Sequence, residues 1–238
     1  MAFDNYSKVK LARRIAGEIA LSDDPSKMLK KWREIFHIPQ IVLANYLGLS
    51  PSVISDYESG RRKYPGTRMI KRFVEALLLI DEENGGEITT AFERLAGAEV
   101  PIDIILDIRE FSAPTTVNDI CKALGAELLT DSESSSQLLY GYIAVEGTGL
   151  LTLPKNALSK LFEVSSKRAL IIVNVSTGRS PLLLLDEDLK KPGLVVLHTN
   201  KVPDEHVIAT AQSKSIPIAL HISDSPNSLL QRLKRLRL

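Results

Sequence analysis

The chain has 238 residues, 44% of them hydrophobic and 25% charged, which is the composition of a folded globular protein and excludes disordered and collagen-like chains. Its single cysteine, Cys121, excludes an internal disulfide framework and a cysteine-rich zinc cluster. No apolar run approaches the roughly 18 residues of a membrane span, and charges in the first twenty residues argue against a signal peptide, so we expect a cytoplasmic protein with no membrane partner.

Helical patterns fill the first hundred residues, and no strand pattern appears among them. Apolar residues recur at helical spacing, and proline or glycine marks most of the helix ends. The predicted helices span residues 6–21, 25–36, 39–47, 51–59, 67–79 and 88–95. We therefore predict an all-helical N-terminal domain over residues 1–99.

Beyond Pro101, apolar segments of strand length alternate with helices. Pro114-Thr115-Thr116 is predicted to open a helix that ends at Gly125. The predicted strands span 138–145, 169–175, 182–185, 193–198 and 216–221, and further helices are predicted at 154–162, 204–213 and 225–236. This alternation predicts an α/β domain with a mostly parallel sheet over residues 100–238. The predicted fold class is therefore α + α/β.

Positive charge is concentrated in one segment of an otherwise slightly acidic chain. Residues 25–80 hold ten Lys and Arg against four Asp and Glu, a net charge of +6, whereas the remaining residues sum to −5. Such a block indicates a polyanionic partner, although a solvated helix surface would carry the same charge. The residue pattern inside the block decides between these interpretations.

Within that block, residues 40–63 read QIVLANYLGLSPSVISDYESGRRK, and two short predicted helices flank Gly48-Leu49. So tight a connection is typical of a helix-turn-helix motif. The second helix presents small polar residues at i, i+3, i+4 and i+7, which suit a helix that enters a major groove about 12 Å wide. These residues are Ser52, Ser55, Asp56 and Ser59. Arg61, Arg62 and Lys63 follow directly, where they would meet backbone phosphates.

This segment resembles the Xre/Cro family of helix-turn-helix regulators, whose pattern runs Ser-Gln-x-x-Leu-Ala, then Leu-Gly-Val-Ser, then Ile-Ser-x-x-Glu-x-Gly. The matching residues are Gln40, Leu43, Ala44, Leu47, Gly48, Ser50, Ile54, Ser55, Glu58 and Gly60. The resemblance covers about residues 28–80, and the run from WREIF to SVISDYESGRR is similar to archaeal members of the family. It implies a transcription regulator whose partner is double-stranded DNA.

The resemblance also implies roles for single residues. The recognition helix is Pro51–Ser59, with base-facing positions at Pro51, Ser52, Ser55 and Asp56, and Gln40 matches a phosphate-contacting position. Arg33 and Glu58 match positions that form a buried ion pair. The predicted DNA-contacting residues are Gln40, Ser50, Pro51, Ser52, Ser55, Asp56, Ser59, Arg61, Arg62 and Lys63.

Three positions on the second helix carry further expectations. Ile54 and Tyr57 are predicted to point inward, opposite the polar stripe. Asp56 stands where Arg or Gln is common in the family. An Asp can accept a hydrogen bond from cytosine N4 but also repels phosphate. An equally weighted alternative is that Asp56 caps the helix or pairs with Arg61 or Arg62.

In the C-terminal half, His198 and His221 each end an apolar predicted strand, and Asp204, Glu205 and His206 begin the helix between them. If the strands are parallel, both histidines lie at the carboxyl edge of the sheet, where α/β proteins bind ligands. One interpretation is an effector site for a metal or a small anion. The other is a pair of ordinary hydrogen-bonded histidines, which the lack of any ligand motif favours.

The function predicted from the sequence is that of a homodimeric regulator that binds a palindromic operator through Pro51–Ser59. Residues 100–238 would dimerise, sense a small-molecule effector, or both. P-loop, dinucleotide-binding and nucleophile-elbow motifs are absent, so we expect no catalytic residues, no cofactor and no metal. The alternatives are an adaptor that bridges transcription factors without its own operator and, less favoured, an α/β enzyme with a regulatory helical domain.

Overall fold

The computed structural model describes residues 6–96, 100–101, 104–130, 132–175, 190–200, 209, 213, 215–223 and 225–236. The chain divides into two compact units, Met1–Ala96 and Gly97–Leu238. The predicted strand at 182–185 lies outside the described residues, as does most of the predicted helix at 204–213 with Asp204, Glu205 and His206.

Helices make up the first unit in the part of it that the structure describes, as the sequence predicted. They are α1 (Tyr6–Leu21), α2 (Pro25–Ile35), α3 (Gln40–Leu47), α4 (Pro51–Glu58), α5 (Thr67–Glu83) and α6 (Glu87–Ala96). Their apolar faces enclose a core that includes Trp32, Phe73 and Leu77, each no more than 1% exposed. The ring of Trp32 also packs against Phe92 of α6, with 5.6 Å between ring centroids.

Side chains that bind backbone amides begin two of these helices. Asp24 precedes α2 and accepts a hydrogen bond from the Lys27 N–H at 3.2 Å. Asp81 is buried near the end of α5 and accepts from the N–H groups of Ile88 and Thr89 at 3.1 and 2.9 Å, which holds the first turn of α6 against α5. Each carboxylate satisfies amides that have no partner within the helix.

The described residues of the second unit form a mixed sheet of six strands in the order β1-β3-β4-β5-β6-β2. The strands are β1 (Ile105–Thr116), β2 (Glu127–Leu128), β3 (Leu138–Glu146), β4 (Ala169–Val173), β5 (Leu194–Thr199) and β6 (Ile218–Ile222). Strands β3 to β6 are parallel, and the edge strands β1 and β2 run antiparallel to β3 and β6. The predicted α + α/β class is confirmed, with a sheet that is parallel in its centre.

Four α-helices are described over their length in this unit: α7 (Val117–Leu124), α8 (Gly147–Leu150), α9 (Lys155–Val164) and α10 (Pro226–Arg235). Short 3₁₀ helices lie at Ser132–Ser136 and Ser165–Lys167. Helices α7 and α10 pack on one face of the sheet, where Leu124 and Leu229 meet Val196 and Ala219 in a common core. Cys121 lies in this core, and burial raises the pKa of its thiol to about 11, so the thiol is protonated and packs as an apolar group.

Strand β1 corrects the sequence prediction, because residues 114–116 end a strand and do not open a helix. Pro114 is tolerated there because β1 lies at the edge of the sheet, and its register with β3 shifts between Glu110 and Thr115. The helix begins one residue later, at Val117. Thr116 caps it by accepting a hydrogen bond from the Asp119 N–H at 3.1 Å.

Asp107 on β1 is fully buried and accepts hydrogen bonds from the Tyr142 hydroxyl at 2.9 Å and from the Ile108 N–H at 3.0 Å. Burial raises the pKa of its carboxyl from 3.8 to about 6, although Tyr142, Lys234 and Arg109 act to lower it. The stability that this group contributes is therefore fully present below about pH 3.8 and is lost as the pH rises through 6.

We expect Asp107→Asn to remove this pH dependence. In the wild-type chain, a shift of about two pKa units corresponds to roughly 3 kcal/mol lost from the free energy of unfolding of the second unit between pH 4 and 7. Urea unfolding followed by circular dichroism at both pH values measures it. Glu127→Gln, at an exposed position on β2, is the control. The same pH slope in Asp107→Asn and wild type would contradict the prediction.

Candidate DNA-binding surface

The turn between α3 and α4 is made by Gly48, Leu49 and Ser50. Gly48 has φ 63° and ψ 37°, a left-handed conformation that glycine adopts readily. Its N–H donates to the Asn45 carbonyl at 3.1 Å, and the Leu49 N–H donates to the Ala44 carbonyl at 2.9 Å, which ends α3 and leads directly into α4. The buried residues of α3 are Leu43, Ala44 and Leu47, as predicted.

Helix α4 buries Ile54 and Glu58, which lie one turn apart, and turns its opposite face to solvent. The stripe predicted from the sequence lies on that opposite face. Pro51, Ser52 and Ser59 are exposed, and Ser55 and Asp56 are half-buried. The hydroxyl oxygens of Ser50 and Ser52 lie 2.8 Å apart at the beginning of the helix.

A buried polar cluster fixes the position of α4. Arg33 on α2 donates to both carboxylate oxygens of Glu58, from Nε at 2.5 Å and from Nη2 at 2.8 Å, and its Nη1 donates to the Ile38 carbonyl at 2.9 Å. The side chains of Arg33 and Glu58 are 11% and 3% exposed, so the predicted buried ion pair is confirmed.

Gln40 joins this cluster, a contact that the sequence did not predict. Its Nε2 donates to Glu58 Oε2 at 2.8 Å, so the first residue of α3 is joined to the last residue of α4. The prediction for this side chain was a phosphate contact. The structure shows it holding the two helices of the motif together.

The basic residues after α4 are arranged in two different ways. Arg61 Nε donates to Asp56 Oδ1 at 2.6 Å, which is the pairing that the sequence left open for Asp56. The guanidinium of Arg62 lies 5.6 Å from the ring centroid of Tyr57. Tyr57 is half-buried and contacts Arg62 at the surface, so the prediction that it points into the core is wrong. Lys63 is exposed.

Two arginines of α5, Arg68 and Arg72, line a recess of about 520 Å³ beside α4. Neither is among the DNA-contacting residues predicted from the sequence. Arg72 donates to the carbonyl of Leu47 at the end of α3. The lining also includes Arg62 and Gly66, and Gly66 begins α5 without a side-chain cap. Both arginines lie in the basic block of residues 25–80, which is the sequence signal from which they could have been predicted.

Comparison with known proteins agrees with this geometry. The family model described as "Helix-turn-helix" matches residues 29–78. An uncharacterized HTH-type transcriptional regulator of Methanocaldococcus jannaschii is 38% identical over 232 residues, which cover 96% of this chain and 95% of the relative. A second such regulator, from Archaeoglobus fulgidus, is 36% identical over 228 residues, or 94% of this chain and 96% of the relative. The chain belongs to the HTH-type transcriptional regulators.

No solved structure matches this regulator. Its family membership confirms the predicted resemblance and makes the surface around α4 the candidate DNA-binding surface. Among the described residues of the regulator, no helix is long and apolar enough to cross a membrane.

The regulator's second unit brings together the two histidines that the sequence singled out. His198 on β5 and His221 on β6 are register partners, their rings stack with 5.5 Å between centroids, and they are 2% and 5% exposed. Burial lowers the pKa of both imidazoles, and for His221 the neighbouring His198 and Arg232 lower it further. The described part of the chain holds no group of three or more His, Cys, Asp or Glu side chains that could bind a metal ion.

Proposed function

We propose that this regulator binds a palindromic operator as a homodimer, with α4 of each copy in a major groove. The observation that carries the proposal is the solvent-facing stripe of small polar residues on α4, whose orientation the Arg33–Glu58 pair and Gln40 fix from behind. A helix with this surface fits a groove about 12 Å wide. The net charge of +6 over residues 25–80 supports the same surface.

Base contacts come from the polar stripe in this proposal. Ser52, Ser55 and Ser59 are short hydroxyl side chains that hydrogen-bond to base edges at close approach, and Pro51 and Ser50 lie at the leading end of the helix. Asp56 accepts from cytosine N4 only after its exposed pair with Arg61 opens. That pair costs at most about 1 kcal/mol to break, because one partner is 66% exposed.

Phosphate contacts come from the basic residues that surround α4. Arg61, Arg62 and Lys63 follow the helix directly, and Arg62 and Arg68 line the recess beside it. In this proposal Gln40 donates one Nε2 hydrogen to a DNA phosphate from the beginning of α3, while the other stays on Glu58. Contacts of this kind set the position of the protein on the duplex and its salt dependence, and carry no base information.

The second unit supplies the dimer contact and the effector site in this proposal. Two half-sites one helical turn apart require two motifs held at a fixed spacing. Since the basic block of residues 25–80 contacts DNA in this proposal, residues 100–238 form the contact between the two copies. His198 and His221 at the carboxyl edge of the sheet bind the effector. The regulator acts in the cytoplasm and is not an enzyme, a proposal that the family names support.

Selection of bound sequences from a random DNA pool tests the proposal. The full chain should enrich a two-fold symmetric sequence and bind it at least about 10³-fold more tightly than unselected DNA. An adaptor without its own operator would show no enrichment, and that outcome would overturn the proposal.

Replacement of single basic residues tests the phosphate contacts. Lys63→Ala and Arg62→Ala are each expected to weaken binding to all sequences alike and to lower the slope of log K against log salt by about 1, because one phosphate contact is lost. Fluorescence anisotropy at several salt concentrations measures the slope. Lys122→Ala, at an exposed position on α7, is the matched control and should leave the slope unchanged. A wild-type slope in both variants would remove these residues from the interface.

A further inference from the structure

The carboxyl edge of the parallel strands holds a row of polar side chains. Glu146 ends β3, Asn174 follows β4, His198 lies near the end of β5 and His221 near the end of β6. Side chains alternate between the two faces of a strand. His198 and His221 therefore lie on the same face as Val196 and Ala219, the face that α7 and α10 cover.

Both histidines are buried, and each has a ring nitrogen without a hydrogen-bond partner in the part of the chain that the structure describes. Among the buried side-chain nitrogen and oxygen atoms of the described residues, His198 Nε2 and His221 Nδ1 lack a hydrogen-bond partner. Leaving such an atom unpaired costs free energy comparable to a lost hydrogen bond, and native cores rarely accept it without a functional reason. The orphaned atoms also belong to two neighbouring rings at the edge where α/β sheets bind ligands.

The proton on His198 decides what kind of ligand atom its Nε2 can meet. The backbone N–H of Asn174 donates to His198 Nδ1 at 3.3 Å, so Nδ1 presents its lone pair to that amide. In the neutral ring the proton is then on Nε2, which makes Nε2 a donor. A metal ion needs a lone pair at this nitrogen, whereas an oxygen atom of a ligand accepts its hydrogen. The geometry therefore favours an oxygen-bearing ligand over a metal.

The charge that acts on His221 favours an anionic oxygen. Burial lowers the pKa of both imidazoles, so both are neutral at pH 7 and have the capacity to take up a proton when an anion arrives. Arg232 of α10 acts on His221 and donates to the Leu124 carbonyl at 3.0 Å. The carboxylate of Glu146 accepts from Asn174 Nδ2 at 3.1 and 3.3 Å, and its negative charge raises the pKa of His198, so an anion at this edge binds against Glu146 and with Arg232.

Helix α10 adds a second favourable feature at the same edge. It has ten residues and begins at Pro226, shortly after β6 ends at Ile222, and Ser225 caps it without a side-chain hydrogen bond. The beginning of a helix carries partial positive charge, which attracts anions. In α10 this charge is the favourable feature, because Pro226 has no N–H and the Ser228 N–H donates to the Ser225 carbonyl at 3.1 Å. The same helix packs on the face of the sheet that carries both histidines.

From these observations we propose that the His198–His221 edge binds a small molecule through its carboxylate or phosphate group, which accepts the Nε2 hydrogen of His198. The inference rests on the proposed function, because it names the chemical class of the effector. It assigns a role to the two nitrogens that the fold leaves unpaired.

Titration of the full chain with sodium phosphate and, separately, with sodium acetate tests the proposal. With the histidine rings labelled with ¹⁵N, either salt should shift the His198 Nε2 resonance saturably, and the anion that does so identifies the group. Sodium chloride at equal ionic strength is the control. Absence of saturation with both anions would overturn the proposal, as would zinc chloride displacing the His198 Nε2 proton.

A variant of His198 distinguishes a ligand-binding role from a purely structural contact with His221. His198→Phe keeps a stacked aromatic ring but has no donor, and should weaken binding of the active anion about tenfold or more. Its melting temperature should change little, because the removal of the unpaired buried donor offsets the loss of the acceptor of the Asn174 N–H. His37→Asn is the matched control, since Asn tolerates the φ of 54° at that position in the first unit. Equal affinity in His198→Phe and wild type would overturn the proposal.

The DNA selection experiment distinguishes this failure from failure of the proposed function. If the wild-type chain enriches an operator but binds neither anion, this inference alone is wrong. If it binds an anion through His198 but enriches no operator, the site stands and the proposed function is wrong.

Discussion

Glu58→Ala is expected to lower the free energy of unfolding of the first unit by about 3–5 kcal/mol, because it leaves a charge buried without its partner. The Arg33 guanidinium would keep one hydrogen bond, to the Ile38 carbonyl, and lose both bonds to the carboxylate. The amide of Gln40 would lose its acceptor as well. Three helices converge on this carboxylate, so the position of α4 should loosen together with the stability.

Trp32 makes the measurement specific to the first unit. It is the single tryptophan of the chain and is fully buried there, so its fluorescence in urea follows that unit alone. The pair Arg33→Met and Glu58→Leu should destabilise less than the sum of the two single changes, because no charge is then left unpaired. Lys71→Ala, which breaks the exposed pair with Glu75, is the control and should cost less than about 1 kcal/mol. Additive effects at Arg33 and Glu58 would show that the two residues are not coupled.

The helix-turn-helix motif was predictable because its signals are local. Glycine at position 48 permits the left-handed turn that ends α3, and apolar residues at helical spacing define the buried faces on both sides of it. The Arg33–Glu58 pair spans 25 positions, and the resemblance to a known family supplied it, not the spacing.

Strand β1 was missed because its residues carry conflicting local signals. Asp107, Arg109 and Glu110 read as a surface segment, and Pro114-Thr115-Thr116 reads as a helix start. Tertiary contacts override both signals: Tyr142 satisfies the buried Asp107, and Arg168 donates to both oxygens of Glu110 at 2.8 and 3.0 Å. Contacts between residues so far apart along the chain leave no periodic pattern in the sequence.

The candidate sites show the same division between local and distant contacts. The exposure of Ser52 followed from the helical period of α4. The bond from Gln40 to Glu58 and the placement of Arg68 beside α4 depend on how separate helices pack. For His198 and His221, the prediction of parallel strands placed both at one edge of the sheet, but their unpaired nitrogens and the Asn174 N–H that meets His198 Nδ1 depend on how the strand ends pack.

A chain that ends at Ala96 is expected to fold, to be largely monomeric, and to bind the selected operator about 10²–10⁴-fold more weakly than the full chain. Folding is expected because the first unit encloses its own core, and Asp81 still holds the beginning of α6. Weak binding is expected because one motif covers one half-site. Two motifs held about 34–36 Å apart bind two successive major-groove faces, and the second contact then forms at high effective concentration.

Sedimentation velocity of both chains, with anisotropy on the selected DNA, decides this prediction. The shorter chain should also show about half the salt slope of the full chain, because it neutralises half as many phosphates. A fusion of residues 1–96 to an unrelated dimeric coiled coil is the control. Since it restores two linked motifs without residues 100–238, it should recover much of the lost affinity if dimerisation is what those residues contribute. A full chain that sediments as a monomer at micromolar concentration and still binds tightly would contradict the dimer, and the operator would then be contacted by one motif at a time.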